Sequence, residues 1–415
     1  MLQQVLNNID KSKVETVLLN LVKIPGDPGD EAERSAYIKE LMEDLDLEVM
    51  TQIVEYGRGP NVVGVHRGQG EGKNLMLHAH IDGWPATRDQ ASIVGGKIEH
   101  GKIYGPGVGD QLACIAAFYG VMDAIKRSKV QLKGDLIWAQ VIDEEVFMVG
   151  SEELGEVGGL NADMVLIGEP TDLNIGHVHT GLVEFEITTK GYAGHPSHIL
   201  LGYKNTNAVL SMHKILNSLL EMPSKEPFFN VTHPKLGKGA VFYVGPIVGG
   251  FKSLGDPLRE TGPIKGKEGV AYFTPEWCRL RVGVRTFPGQ TNTLEVQNLI
   301  QKYIDLAKKN DPSIEAEVKN TLNRNYPLEI PESSPAVATL RKAITSVMGK
   351  EPKLVGNVYC TDLPPFLKRG MSGAWCGPGY ARYLRPDEHV TEEELLNTAK
   401  IFTTAALDVC ASINP

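Results

Sequence analysis

Cysteine is scarce and dispersed in this chain. Cys114, Cys278, Cys360, Cys376 and Cys410 form no CxxC pair among 415 residues, which argues against a disulfide scaffold and against a thiolate zinc site. Neither Cys360 nor Cys376 lies in the local sequence of a cysteine-enzyme family, so all five read as reduced core residues. There is no low-complexity tract and no block of like charges. Long apolar runs are missing from the start: MLQQVLNNIDKSKVETVLLNLV mixes helical apolar spacing with charges, unlike a signal peptide or a membrane span. A cytoplasmic protein with no membrane partner is the expectation. Basic clusters are absent too, with 42 Lys and Arg scattered against 51 Asp and Glu for a net charge of −9. A phosphate backbone would find no footprint here, and no nucleic-acid partner is expected.

What is present is a patterned globular chain. Its length exceeds what one core usually supports, so two domains are expected. Val14, Val17, Leu18, Leu21 and Val22 mark one amphipathic helix, and Ile38, Leu41 and Leu45 a second. Short apolar strands follow: LEVMTQIVEY, NVVGVHRG, NLMLHAHID, DLIWAQVID and DMVLIGEP, with a helix from Leu112 to about Ser128 between the third and fourth. The alternation predicts an α/β layer structure, a mixed and largely parallel sheet flanked by helices. From Gly181 the pattern changes to a strand–helix–strand–helix unit of its own. Residues 181–328 are therefore read as an inserted α+β domain, with residues 1–180 and 329–415 folding together around it. Pro335 opens a further helix, and Thr391 with Glu394 forms a capping-box pattern for the last one.

Polar residues with an affinity for metals close several of the apolar strands. His80 and Asp82 lie in LMLHAHIDGWP, Asp110 in YGPGVGDQLA, Glu144 and Glu145 in IWAQVIDEEV, and Glu169 in MVLIGEPTD. Carboxylates and imidazoles at the ends of buried strands are costly unless compensated, and a divalent cation compensates them directly. The carboxyl ends of strands are also where open α/β sheets bind ligands. A metallohydrolase is the first reading.

In order, HAHIDGWP, GPGVGDQLA, DEE, GEPT, the G-H pair of YAGHPSH and a late CGPG resemble the metallopeptidase family of acetylornithine deacetylase, succinyl-diaminopimelate desuccinylase, aminoacylase and carboxypeptidase G, over nearly the whole chain. The resemblance implies a zinc-exopeptidase-like catalytic domain holding a co-catalytic pair of zinc, manganese or cobalt ions, and a lid domain through which a homodimer forms. By motif, His80 and Glu169 would hold one metal, Asp110 would bridge, and Glu145 would hold the second. Asp82 would hold the imidazole of His80, and Glu144 would be the general base. His195 resembles the lid histidine that reaches the partner's site, and Arg285 the lid arginine that binds substrate carboxylate. Asn207 and Gly377 complete the expected substrate-binding set. His78 reads as a hydrogen-bonded core histidine, and His198 is given no role.

Two departures alter the expectation. The family's C-terminal histidine ligand falls on Leu384 in LRPDEHV, and an isobutyl group cannot ligate a metal. One well-held divalent metal per chain, with a second weak or absent, follows. His389 lies five residues further on and would need a rebuilt loop to substitute. In the lid, Tyr272 occupies the slot of a substrate-binding Asn, where it could stack on a flat substrate. The leading functional expectation is hydrolysis of a C–N bond in a small carboxylate-bearing molecule, such as an N-acyl amino acid or dipeptide. The alternative is an aminohydrolase of an aromatic amine of the nitroanthranilate type. A catalytically inactive binding homologue is the reading from another class, and the intact Glu144 argues against it.

Overall fold

The computed structural model describes residues 1–54, 59–156, 160–192, 194–195, 197–202, 206–250, 274–324 and 326–411. The chain divides into two compact units, Met1–His179 with Leu328–Pro415, and Thr180–Pro327.

The first unit is built on a sheet of nine strands among the described residues. In spatial order these are Glu48–Gln52, Asn61–His66, Leu136–Val141, Leu75–His80, Met164–Ile167, Ser372–Trp375, Ile175–His179 and Leu328–Glu329, with Leu354–Asn357 also paired to Ile175–His179. The α/β class is as the sequence predicts, with parallel pairing concentrated in the centre. Leu136–Val141, Leu75–His80, Met164–Ile167 and Ser372–Trp375 run parallel, Leu354–Asn357 also pairs parallel with Ile175–His179, and the remaining pairs are antiparallel. Every residue of Leu75–His80, Leu136–Val141 and Met164–Ile167 is buried. Helices cover both faces of such strands, which is why they read as continuous apolar runs instead of alternating.

The covering helices pack closely. Ala113–Ser128 is rich in small residues, and a Cβ at its Gly120 would stand 2.7 Å from a methyl of Val14, so glycine lets the Lys11–Lys23 helix approach. The stretch Val108–Ser128 is long and apolar enough to cross a membrane, but 89% of its 18-residue apolar window is buried inside the protein, which accounts for its composition. The last helix, Glu392–Cys410, opens with the expected capping box: Glu394 N donates to Thr391 Oγ1, and Thr391 N to the Glu394 carboxylate.

The second unit has its own core, including Phe185, Met212, Ile215, Leu280, Val282 and Ile300. Its antiparallel sheet has the order Val241–Gly250, Trp277–Thr286, Gly181–Lys190 and Glu315–Arg324, and the helices Ala208–Lys225 and Thr293–Asn310 complete a β-α-β-β-α-β sequence. The sequence reading found the two central strands and both helices and missed the two edge strands.

Candidate metal centre

Register in the parallel strands brings the polar residues together. His80 pairs with Val141, and His78 with Ile167, so the chain leaves these three strands at one edge carrying His80, Glu144 with Glu145, and Glu169. Asp110 arrives from the loop preceding Ala113–Ser128, where the Asp110–Gln111 peptide is cis. One ligand atom each from His80, Asp110 and Glu169 lies within 4.8 Å of the others. The His80 Nε2 atom is 3.4 Å from Asp110 Oδ1 and 3.9 Å from both Glu144 Oε2 and Glu169 Oε1.

The tautomer of His80 follows from its other nitrogen. Nδ1 lies 3.0 Å from the main-chain carbonyl of Asp82, which can only accept, so Nδ1 carries the hydrogen and Nε2 offers its lone pair to the cluster. The Asp82 carboxylate stands further from the ring, with Oδ1 at 3.5 Å. It accepts instead from the main-chain N–H groups of Glu144 and Glu145, each at 3.0 Å. The sequence reading gave that carboxylate to the imidazole; the structure adds that it fixes the turn carrying both glutamates.

Crowded charge dominates the electrostatics. Burial pushes the Glu169 carboxyl well above its ordinary range, and Asp110 adds to this. Glu145 is raised well above it by the same two causes in the same order. Burial opposes the charged form of His80, but the carboxylates of Asp110 and Asp82 beside the ring outweigh it and hold it well above the usual histidine value, so that without a cation the Nε2 lone pair takes up a proton. Burial likewise opposes the charge on Asp82, yet His80 and the two N–H donors hold it below the carboxylate range. Asp110 Oδ1 is buried with no hydrogen-bond partner. A lone pair without a donor, one imidazole nitrogen and converging carboxylates fit a divalent cation, which would replace the protons that the cluster otherwise gathers.

Several supporting residues escaped the sequence reading. Gln111 donates from Nε2 to Glu169 Oε1 at 2.8 Å. Glu388 accepts from Gly109 N at 3.1 Å and from Gln90 Nε2 at 3.1 Å, bracing the Asp110 loop. The Glu388 bonds join positions 279 and 298 residues apart, and the Gln111 bond positions 58 apart. Burial pushes the Glu388 carboxyl up to about 7, against the N–H donors of Gly109 and Gly107. An acid raised on folding stabilises the protein below its unfolded value, near 4.5, and that contribution is lost as pH rises through about 7. A shift of this size corresponds to roughly 3 kcal/mol. Denaturant unfolding of chelator-treated protein should therefore show stability falling from pH 5 to 7, and Glu388→Gln should flatten the slope. An unchanged slope would refute the assignment.

The other predicted residues fall as follows. Gly377 is buried against the Glu169 loop: a Cβ there would come 2.7 Å from the Glu169 carbonyl, and the Gly377 carbonyl accepts from Thr171 N and Leu173 N. Its observed part is to seat Glu169. Asn207 caps the Ala208–Lys225 helix, its Oδ1 accepting from Val209 N and Leu210 N. His195 is exposed, and its Nδ1 accepts from Ser197 N at 3.2 Å, which puts the ring hydrogen on Nε2. Arg285 is half-buried near the end of Trp277–Thr286. Tyr272 lies outside the described residues. His78 pairs with Asp362 at 3.0 Å in the core. His389 rests on Tyr104, ring centroids 5.0 Å apart, with Nδ1 on the Asp387 carbonyl. Leu384 is 55% exposed. Burial pushes the Cys376 thiol up to about 12, which removes it as a nucleophile.

The model of peptidase family M20/M25/M40 matches residues 76–408. Among solved structures, human carnosine dipeptidase 1 is similar at 16% identity with a TM-score of 0.77, covering 98% of each chain. The dipeptidase Dug1p from Saccharomyces cerevisiae is similar at 15% identity and a TM-score of 0.75, covering 97% of each. The YXEP protein of Bacillus subtilis, described as a dinuclear metal-binding peptidase, is similar at 16% identity and a TM-score of 0.60, covering 96% of this chain and 98% of that one.

Proposed function

The chain belongs to peptidase family M20/M25/M40 and is a metallohydrolase acting on C–N bonds, and from that premise we propose that it cleaves an amide of a small carboxylate-bearing molecule, of the N-acyl amino acid or dipeptide type, with Glu144 as general base. The observation that carries this is the convergence of His80, Asp110 and Glu169 at the strand ends, with Glu144 beside them. His80, Asp110 and Glu169 would hold a zinc, manganese or cobalt ion, and Glu145 would serve a second, weaker site. Such a cation lowers the pKa of water toward about 7 and polarises a carbonyl. Glu144 takes the proton from the attacking water and delivers it to the leaving nitrogen. Arg285 binds the substrate carboxylate, and His195 donates from Nε2 to the developing oxyanion of the partner's site.

Hydrolysis of a panel of N-acyl amino acids and dipeptides with added Zn²⁺, Mn²⁺ or Co²⁺ tests the reading, and no turnover on any of them by metal-loaded protein would sink it. Leu384 removes a nitrogen donor, so one ion is held tightly. Metal analysis after dialysis should return one equivalent per chain, and two retained equivalents would overturn the one-metal proposal. Leu384 also favours a second reading, release of an amine from an aromatic ring, which aminobenzoates in the same panel would reveal.

A homodimer through the lid is supported by the edge strand Val241–Gly250, which exposes Val241, Val244 and Ile247. A monomer in sedimentation analysis would remove that proposal. A cytoplasmic location is supported by five free, buried cysteines; detection of the native protein outside the cytoplasm would end it.

A further inference from the structure

Three tyrosines unused by the chemistry above stand against the loops that carry Asp110 and Glu169. Tyr380 and Tyr383 stack with centroids 5.8 Å apart and planes inclined by 22°. Tyr359 meets both at steep angles, 6.0 Å from Tyr380 and 6.2 Å from Tyr383. Their location is fixed by two contacts. The Tyr359 hydroxyl donates to the carbonyl of Pro170, one residue past Glu169. A Cβ placed on Gly109, one residue before Asp110, would stand 3.1 Å from Tyr383 Cβ.

These rings are not core packing. Trp138, Trp375, Phe118 and Phe366 in the same unit are fully buried, whereas all three tyrosines are half-buried as residues. Tyr380 and Tyr383 precede Leu384 in the segment that lacks the histidine, so the loop that gives up a metal donor presents aromatic surface. Trp84, two residues past Asp82, is 51% exposed and lines a cavity of about 200 Å³ together with Asp82 and Asp110. Aromatic surface thus borders the cluster on each of the loops of Asp82, Asp110 and Glu169.

We propose that Tyr359, Tyr380 and Tyr383 form a subsite that takes a flat aromatic ring of the substrate beside the metal centre. This rests on the reading of the cluster as a metal site and narrows the substrate to carboxylates or amides bearing an aromatic group. The physical basis is the quadrupole of the rings, which favours offset-stacked and edge-to-face partners over saturated rings of the same size.

The test reads binding, not turnover. Benzoate and cyclohexanecarboxylate share a carboxylate and a six-membered ring, and titration calorimetry of full-length, Mn²⁺-loaded protein compares them. Wild type should bind benzoate roughly two- to tenfold more tightly than the saturated acid. Tyr380→Leu and Tyr383→Leu should bring the ratio close to one with metal content unchanged, and Tyr380→Phe and Tyr383→Phe, which keep the ring, should preserve it. Equal affinities in wild type, no binding of benzoate, or an undiminished ratio in both leucine variants would each overturn the proposal. Because no cleavage is measured, selective benzoate binding without turnover of any amide would retain the subsite and reject the reaction.

Discussion

Replacing Glu144 by glutamine is expected to lower kcat by roughly 10²- to 10⁴-fold while leaving metal content unchanged. His80, Asp110 and Glu169 form the group whose ligand atoms all lie within 4.8 Å of one another, and Glu144 borders it without belonging to it, its Oε2 3.9 Å from His80 Nε2. Its main-chain N–H is held by Asp82, so the backbone geometry survives the substitution. Glutamine matches the shape and hydrogen-bonding reach of glutamate but cannot take up a proton. Steady-state kinetics on a responsive N-acyl substrate, paired with metal analysis of the same sample, checks both halves. A near-normal rate would remove Glu144 as the base, and lost metal would make it a ligand.

The second large effect is expected at Asp82, where alanine should weaken metal binding by roughly 10- to 100-fold and also destabilise the fold. The carboxylate is fully buried and accepts from the N–H groups of Glu144 and Glu145. Without it two buried donors lose their acceptor, each at a cost of roughly 1–3 kcal/mol. It is also a counter-charge for Arg34, whose guanidinium burial pushes down to about 10 while Asp82, Asp27 and Glu31 oppose the shift. Arg34 in turn donates to the carbonyls of Ile81 and Ile24, so the loss reaches the peptide between His80 and Asp82. Metal titration and thermal unfolding read the two consequences separately. Wild-type affinity with a lowered melting temperature would confine Asp82 to a structural part.

The site was legible where chemistry and strand periodicity coincide. His80 and Glu169 end fully buried strands, where an ionisable residue stands out against an apolar run, and the structure brings both to Asp110. Glu388 and Gln90 brace the same loop but were not legible, because a polar residue in a turn carries no sign of a partner nearly 300 positions away. The tyrosines escaped notice for a related reason, since Tyr359 and Tyr383 meet only in the folded chain. In the second unit, Val241–Gly250 read as a Gly/Pro-rich stretch. Gly245 and Pro246 fall in its register shift between Val244 and Ile247, and an edge strand tolerates both. Glu315–Arg324 lies at the opposite edge, exposed or half-exposed at nearly every position, and the alternation begun by Ala316 and Val318 is interrupted at Asn320, where the register shifts.

Ser372–Trp375 sits between Met164–Ile167 and Ile175–His179, pairing with both although some two hundred positions separate it from them in the chain. While the polypeptide is being synthesised, those two earlier strands therefore face an empty slot with unsatisfied edges. The slot fills only when the segment around residue 372 leaves the ribosome. A nascent chain stalled before that point holds His80, Asp110 and Glu169 yet displays open strand edges, the kind of surface that chaperones guard.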